Sequence, residues 1–80
     1  MSYLVVFRSK SETIKFTNIL ASYGHRANII NTPRQISVSC GVSARIEFGA
    51  IESAKLILKR RQFYTFAGIY QINNNEYAII

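Results

Sequence analysis

The apolar run that opens the chain constrains the fold most. Residues Tyr3 to Phe7 (YLVVF) are continuously apolar and rich in β-forming residues, which predicts a strand inside a sheet. A helix signature follows directly, because Ser9 and Glu12 have capping-box spacing and Gly24 stands where a glycine ends a helix. Between them, the apolar positions repeat with helical spacing at Phe16, Ile19, Leu20 and Tyr23. The chain therefore predicts a buried strand followed by a helix.

The remaining patterns complete an alternating order of strands and helices. They predict strands at Arg26 to Asn31, Val42 to Phe48 and Thr65 to Ile72, a helix from Gly49 to Arg61, and a short fifth strand at Glu76 to Ile80. Pro33 ends the second strand, and Asn73 to Asn75 form a turn. The prediction is one domain over residues 1–80. Its class is α+β, a ferredoxin-like βαββαβ two-layer sandwich with an extra C-terminal strand.

Charge and cysteine content narrow the function classes. Ten Lys and Arg against four Asp and Glu give a net charge of +6, which favours an anionic partner but is also common without one. One cysteine, Cys40, and one histidine, His25, leave no internal disulfide and no structural metal site. We expect no cofactor and no enzymatic activity, because no base, metal site or phosphate loop is evident. Without a signal or membrane-spanning pattern, we expect a cytoplasmic protein with a reduced thiol.

The predicted topology gives Cys40 a setting. Right-handed crossovers make the first two strands parallel. They bring together the turn Arg8 to Lys10, the loop Thr32 to Gly41 and the cations Lys59 to Arg61. Composition alone leaves Cys40 equally consistent with a small buried hydrophobe and a nucleophile. Nearby cations and a helix N-terminus lower a thiol pKa, so the topology favours a reactive Cys40, with Gly41 in a tight turn at positive φ.

A local motif carries a family resemblance. Its residues are Thr32, Pro33, Arg34, Ser37, Cys40, Gly41 and Arg45. From Tyr3 to about Tyr70 the chain resembles the selenium/sulfur carrier-like family of small bacterial proteins. The resemblance implies that Cys40 holds sulfur as a persulfide, or selenium as a selenosulfide. A cysteine desulfurase-type donor would load it and an acceptor protein would receive the atom.

The topology and the resemblance together suggest which residues support the cysteine, and some of these residues have a plainer structural explanation. The residues expected to stabilise the thiolate or another anion are Arg34, Arg8, Lys10 and Arg45. Arg45 could instead form an ion pair with Glu47 or Glu52 on the outer face of its strand. Thr32 and Pro33 could simply be the N-cap and first residue of a short helical turn.

Two binding functions compete with the carrier function. In an RNA-binding module, Tyr64, Phe66 and Tyr70 would alternate on one face of the fourth strand and stack bases. The third strand lacks the matching aromatic signature, since Ser43, Arg45 and Glu47 hold its outward positions, so nucleic acid is less favoured. The other alternative is a regulatory homodimer that meets through its open sheet face and binds a small anion.

Overall fold

The computed structural model of the chain describes residues 1–36 and 41–80. Its elements are β1 (Ser2–Phe7), α1 (Lys10–Ser22), β2 (Asn28–Asn31), β3 (Val42–Glu47), α2 (Ile51–Arg60), β4 (Phe66–Asn73) and β5 (Glu76–Ile79). The strands form one antiparallel sheet in the order β2-β3-β1-β4-β5. The α+β class is therefore confirmed. The ferredoxin-like assignment itself stays a prediction.

Strand β1 is the buried centre of the molecule, as its sequence predicts. All six of its residues are buried, and strands pair with it on both sides. Side chains alternate along a strand, so Tyr3, Val5 and Phe7 face one side and Leu4 and Val6 the other. The first set belongs to the cluster that packs beneath the two helices, and the second set to a separate cluster on the opposite face.

Helix α1 begins and ends as predicted. The Ser9 side chain accepts a hydrogen bond from the Glu12 backbone N–H at 3.3 Å, which caps the first turn. At the other end Gly24 adopts φ +88°, a conformation that costs glycine little. The N–H groups of Gly24 and His25 donate to the carbonyls of Ala21 and Leu20, the pattern of a Schellman motif.

Helix α2 follows a single 3₁₀ turn, Phe48–Ala50, so the third strand ends one residue before the predicted end at Phe48. Phe48 is 60% exposed, because the chain leaves the sheet after Glu47 and ends the strand alternation there. Its ring stacks on Tyr3 with 6.5 Å between centroids. The inward side of α2 is formed by Ile51, Ala54 and Ile57, which are buried in the helix-side cluster.

A bulge in β4 changes which of its side chains share a face. Val6 pairs with Gly68 but Phe7 pairs with Phe66, so Ala67 is an extra residue on β4. Phe66 consequently contacts Phe7 on the helix side, with ring centroids 5.8 Å apart. Tyr70 packs with the opposite cluster. The prediction that Tyr64, Phe66 and Tyr70 line one sheet face is wrong, and Tyr64 precedes the strand altogether.

The last two strands form a tight hairpin. Asn73 pairs with Glu76, and the two residues between them, Asn74 and Asn75, have φ values of 50° and 68°. Two consecutive positive φ values are typical of a type I′ turn, which asparagine tolerates well. The predicted asparagine turn and fifth strand are both confirmed.

Candidate functional site

The loop that contains the cysteine is closed at its base by strand-like bonds. The Thr32 N–H donates to the Gly41 carbonyl at 2.9 Å, which extends the β2–β3 ladder by one pair. The Thr32 and Ser43 hydroxyls are 2.6 Å apart, so the Thr32 side chain turns to β3. Thr32 therefore bonds to Gly41 and Ser43 directly after β2, and its side chain does not cap a helical turn. Ser37 and Cys40 lie outside the described residues, and their predicted roles stay predictions.

The first part of this loop lies across the sheet face opposite the helices. The Ile36 N–H donates to the Pro33 carbonyl at 3.0 Å and closes a single turn. Ile36 is only 4% exposed, and it packs against Leu4 and Val6. Gln35 reaches the Asn75 carbonyl at 3.5 Å. The sequence analysis missed this anchor, although Ile36 is a large aliphatic residue in an otherwise largely polar segment.

Strand register shows which features share an end of the sheet. Asn31 pairs with Val42, and Phe7 pairs with Phe66, at the ends of their strands. Val5 pairs with Ala44, so continuing this register by two residues places Phe7 beside Val42. The pairs Asn31–Val42 and Phe7–Phe66 therefore lie in one row across the sheet. Gly41 and Arg8 therefore extend adjacent strands, which are spaced about 4.8 Å apart. We call this edge of the sheet the loop end.

The predicted anion-stabilising residues are only partly brought together. Arg8 is exposed at the loop end, Lys10 begins α1 on the helix side, and Arg34 is exposed in the turn on the opposite face. Arg45 Nη2 lies 3.5 Å from the Ser2 hydroxyl, and Ser2 is at the far end of β1 from Gly41. Within residues 1–36 and 41–80 no ion pair joins Arg45 to a carboxylate. Of these four cations, Arg8 is therefore the best placed to act on a group beside Gly41.

Gly41 is exposed and has open space around it. A Cβ atom built there would meet nothing within 4 Å outside its chain neighbours. Space alone therefore does not require glycine at this position. Its expected positive φ depends on the peptide bond to Cys40, which lies outside the described residues.

A second loop at the same end is held by the side chain of Glu12, which is half-buried. Its carboxylate accepts hydrogen bonds from the backbone N–H groups of Tyr64 and Thr65, at 2.8 and 2.7 Å, and from the Thr65 hydroxyl. Desolvation by itself raises the pKa of Glu12, but these bonds and the Lys15 charge outweigh it and leave the pKa below 4.5. The capping-box spacing predicted this carboxylate at α1, but it serves the α2–β4 loop.

Further bonds tie the same loop to the rest of the molecule. The Arg8 N–H donates to the Thr65 carbonyl at 2.7 Å. Lys15 Nζ donates to the Gln62 carbonyl at 3.1 Å and lies 4.8 Å from the centre of the Phe63 ring. Phe63 packs into the helix-side core, whereas Tyr64 points into solvent and is 80% exposed. The sequence analysis considered Tyr64 only as part of a strand.

The single histidine lies away from the loop end. His25 follows the C-terminus of α1, which starts at the loop end and runs back along the sheet. It lines an open cleft of about 440 Å³ together with Asn18 and Arg26.

Comparison with known proteins gives one match. The family model described as "Putative Se/S carrier protein-like" matches residues 2–71, a range that includes Cys40 and all the motif residues named above. No curated protein and no solved structure matches the chain. Among the helices in the described part of the chain, none is long and apolar enough to cross a membrane.

Proposed function

Because the chain belongs to the Se/S carrier protein-like family, we propose that it carries sulfur or selenium on Cys40 and is not itself an enzyme. The family match over residues 2–71 is the observation that carries this proposal. The donor would be a cysteine desulfurase-type protein and the acceptor a second protein, both in the cytoplasm. We include the ferredoxin-like framework in the proposal, since β3 lies between β1 and β2 and is antiparallel to both.

The chemistry requires only a thiolate. The Cys40 thiolate attacks the outer sulfur of the donor's persulfide, forming a new S–S bond as the donor's S–S bond breaks. The donor cysteine leaves as a thiolate, and the transferred sulfur keeps its proton, so no external oxidant or reductant is needed. In the second step, a nucleophile of the acceptor attacks this outer sulfur and Cys40 leaves as a thiolate. Selenium would follow the same course through a selenosulfide.

The surroundings of Gly41 support this role. The Thr32 N–H fixes the Gly41 carbonyl, so the residue next to Cys40 has a defined place at the loop end. Exposed Arg8 follows the adjacent strand, and a cation near a thiol favours the thiolate that both steps need. We therefore assign Arg8 the main electrostatic role, Arg34 a secondary one, and Lys10 and Arg45 lesser ones.

Mass spectrometry tests the proposal. The protein is incubated with a cysteine desulfurase and cysteine, and intact mass is recorded without reductant. We expect an added sulfur atom on the wild-type chain and none on Cys40→Ser. A wild-type protein that stays unmodified while the desulfurase turns over would rule out sulfur loading from this donor class. Repeating the incubation with selenocysteine and a selenocysteine lyase asks whether selenium is carried instead.

The RNA-binding alternative has no comparable support, because the bulge places Phe66 and Tyr70 on opposite faces of the sheet. A dimer through the open face would have to meet a surface that Ile36 already covers in part. Light scattering at several protein concentrations would measure whether such a dimer forms.

A further inference from the structure

The α2–β4 loop, Arg61 to Thr65, presents one aromatic side chain to solvent. Tyr64 is 80% exposed, while Phe63 beside it packs into the helix-side core. A tyrosine in this position contributes little to folding. Tyrosine and arginine are the residues that most often dominate protein–protein binding energy.

The backbone that carries Tyr64 is held in place without a partner. Glu12 accepts the Tyr64 and Thr65 N–H groups, and the Arg8 N–H donates to the Thr65 carbonyl. A loop fixed before binding loses little conformational entropy when a partner arrives. Tyr64 is therefore displayed in a preorganised position.

Basic residues flank the loop that carries this tyrosine. Exposed Arg60 and Arg61 precede it in the chain, and exposed Arg8 and Lys15 bond to its loop. The nearest carboxylate, Glu12, is occupied by the loop's own donors. We call Tyr64 with Arg8, Lys15, Arg60 and Arg61 the basic tyrosine surface.

Most of the side-chain carboxylates lie at the opposite end of the sheet. Glu47 pairs with Ser2 at the start of β1, Glu52 lies in the first turn of α2, and Glu76 pairs with Asn73. Three of the four side-chain carboxylates therefore lie at that end, together with Arg26 and the Arg45 guanidinium that reaches Ser2. This separation orients the molecule so that its loop end meets an acidic surface first.

We propose that the basic tyrosine surface docks an acidic face of the protein that loads Cys40, an inference that rests on the proposed carrier function. The surface shares the loop end with Gly41, which lies two strands from β4, about 10 Å across the sheet. A donor bound there covers the residues beside Cys40. A single displayed tyrosine suits a pocket on a protein better than single-stranded nucleic acid, which stacks successive bases on several aromatic rings.

The test measures the rate of desulfurase-driven sulfur loading of Cys40 against carrier concentration. We expect Tyr64→Ala to raise the KM for the carrier about tenfold or more with little change in maximal rate, as hot-spot truncations do. Arg61→Glu should raise the KM and weaken its dependence on salt. The matched controls are Phe48→Ala, an exposed aromatic at the far end, and Lys55→Glu, an exposed cation in mid-helix. Thermal unfolding confirms that each variant folds.

The outcomes separate the two proposals. Normal loading of the wild type with an unchanged KM in Tyr64→Ala overturns the docking surface and leaves the carrier function standing. A wild-type protein that never acquires sulfur overturns both. An RNA oligonucleotide whose binding is lost in Tyr64→Ala, while loading by the desulfurase is unchanged, overturns the protein partner in favour of nucleic acid.

Discussion

The two faces of the sheet are covered in different ways. On the helix side, α1 and α2 bury a continuous cluster in which Phe7 contacts Phe16, Phe63 and Phe66. On the other side, Leu4 and Val6 are just as fully buried, but beneath Ile36 and side chains of neighbouring strands. One face is closed by regular structure and the other in part by a loop. The second face thus couples stability to the cysteine loop, whereas the first does not.

The largest expected effect comes from breaking the helix-side cluster. Phe16 is fully buried between α1 and the sheet, and its ring lies 5.5 Å from that of Phe7. Phe16→Ala should lower the free energy of unfolding by about 3–5 kcal/mol, because truncating a core phenylalanine leaves a cavity. Chemical denaturation measures it, with exposed Phe48→Ala as the control. An equal loss in both variants would contradict the burial described here.

Truncating a side chain on the opposite face should reduce stability by less. It should also alter the reactivity of Cys40, which we do not expect of Phe16→Ala. Ile36→Ala should cost about 2 kcal/mol, at the low end for a buried isoleucine, because a loop can partly collapse into the space. It should also change the rate at which iodoacetamide alkylates Cys40, since Ile36 anchors the loop containing that thiol.

The control for this prediction is Ile36→Val, which keeps most of the contact with Leu4 and Val6. It should retain the wild-type alkylation rate. If Ile36→Ala reduces stability but leaves alkylation unchanged, then the anchor serves packing only, and the coupling between the open face and the loop is refuted.

The smallest effect concerns the α2–β4 loop. Glu12→Gln should lower the free energy of unfolding by about 1 kcal/mol at pH 7, since the amide presents only one acceptor to three donors. The folded pKa of Glu12 lies below 4.5. Its stabilisation is therefore complete above that value and is lost as pH falls through the folded pKa.

The pH dependence provides the control for Glu12. The difference in stability between wild type and Glu12→Gln should shrink between pH 7 and pH 3 in denaturant titrations. Glu52→Gln, which removes an exposed carboxylate from α2, should show a much smaller difference at either pH. A gap between wild type and Glu12→Gln that stays constant with pH would mean that the Glu12 charge does not hold the loop.

Local signals predicted the elements well, and long-range contacts explain what they missed. Ser9, Gly24 and the asparagine turn act through their own backbone, so their roles are readable from neighbouring residues. The carboxylate of Glu12 bonds a loop more than fifty residues away, which capping-box spacing cannot reveal. Likewise the bulge at Ala67 arises from pairing with β1, and it redirects the aromatic side chains that a simple alternation places together.

The same distinction between local signals and long-range contacts applies to the candidate site. The motif from Thr32 to Arg45 was sufficient to indicate the family that the matching model supports. It could not indicate that Ile36 is an anchor or that Arg45 turns toward Ser2, because both depend on which sheet face each side chain occupies. The prediction that cations gather around Cys40 used topology alone. Topology determines at which end of the sheet an element begins or ends, but not the direction in which its side chains point.

If Cys40 carries sulfur as proposed, the bond between Thr32 and Gly41 would limit how far that sulfur can travel. Gly41 follows Cys40 directly in the chain, and its carbonyl is held by the Thr32 N–H. Carriers with long flexible tethers can move a cargo between distant stations. Under the proposed carrier function, a tether of one residue could not do this, so donor and acceptor would each have to come to the loop end, and would have to do so in turn.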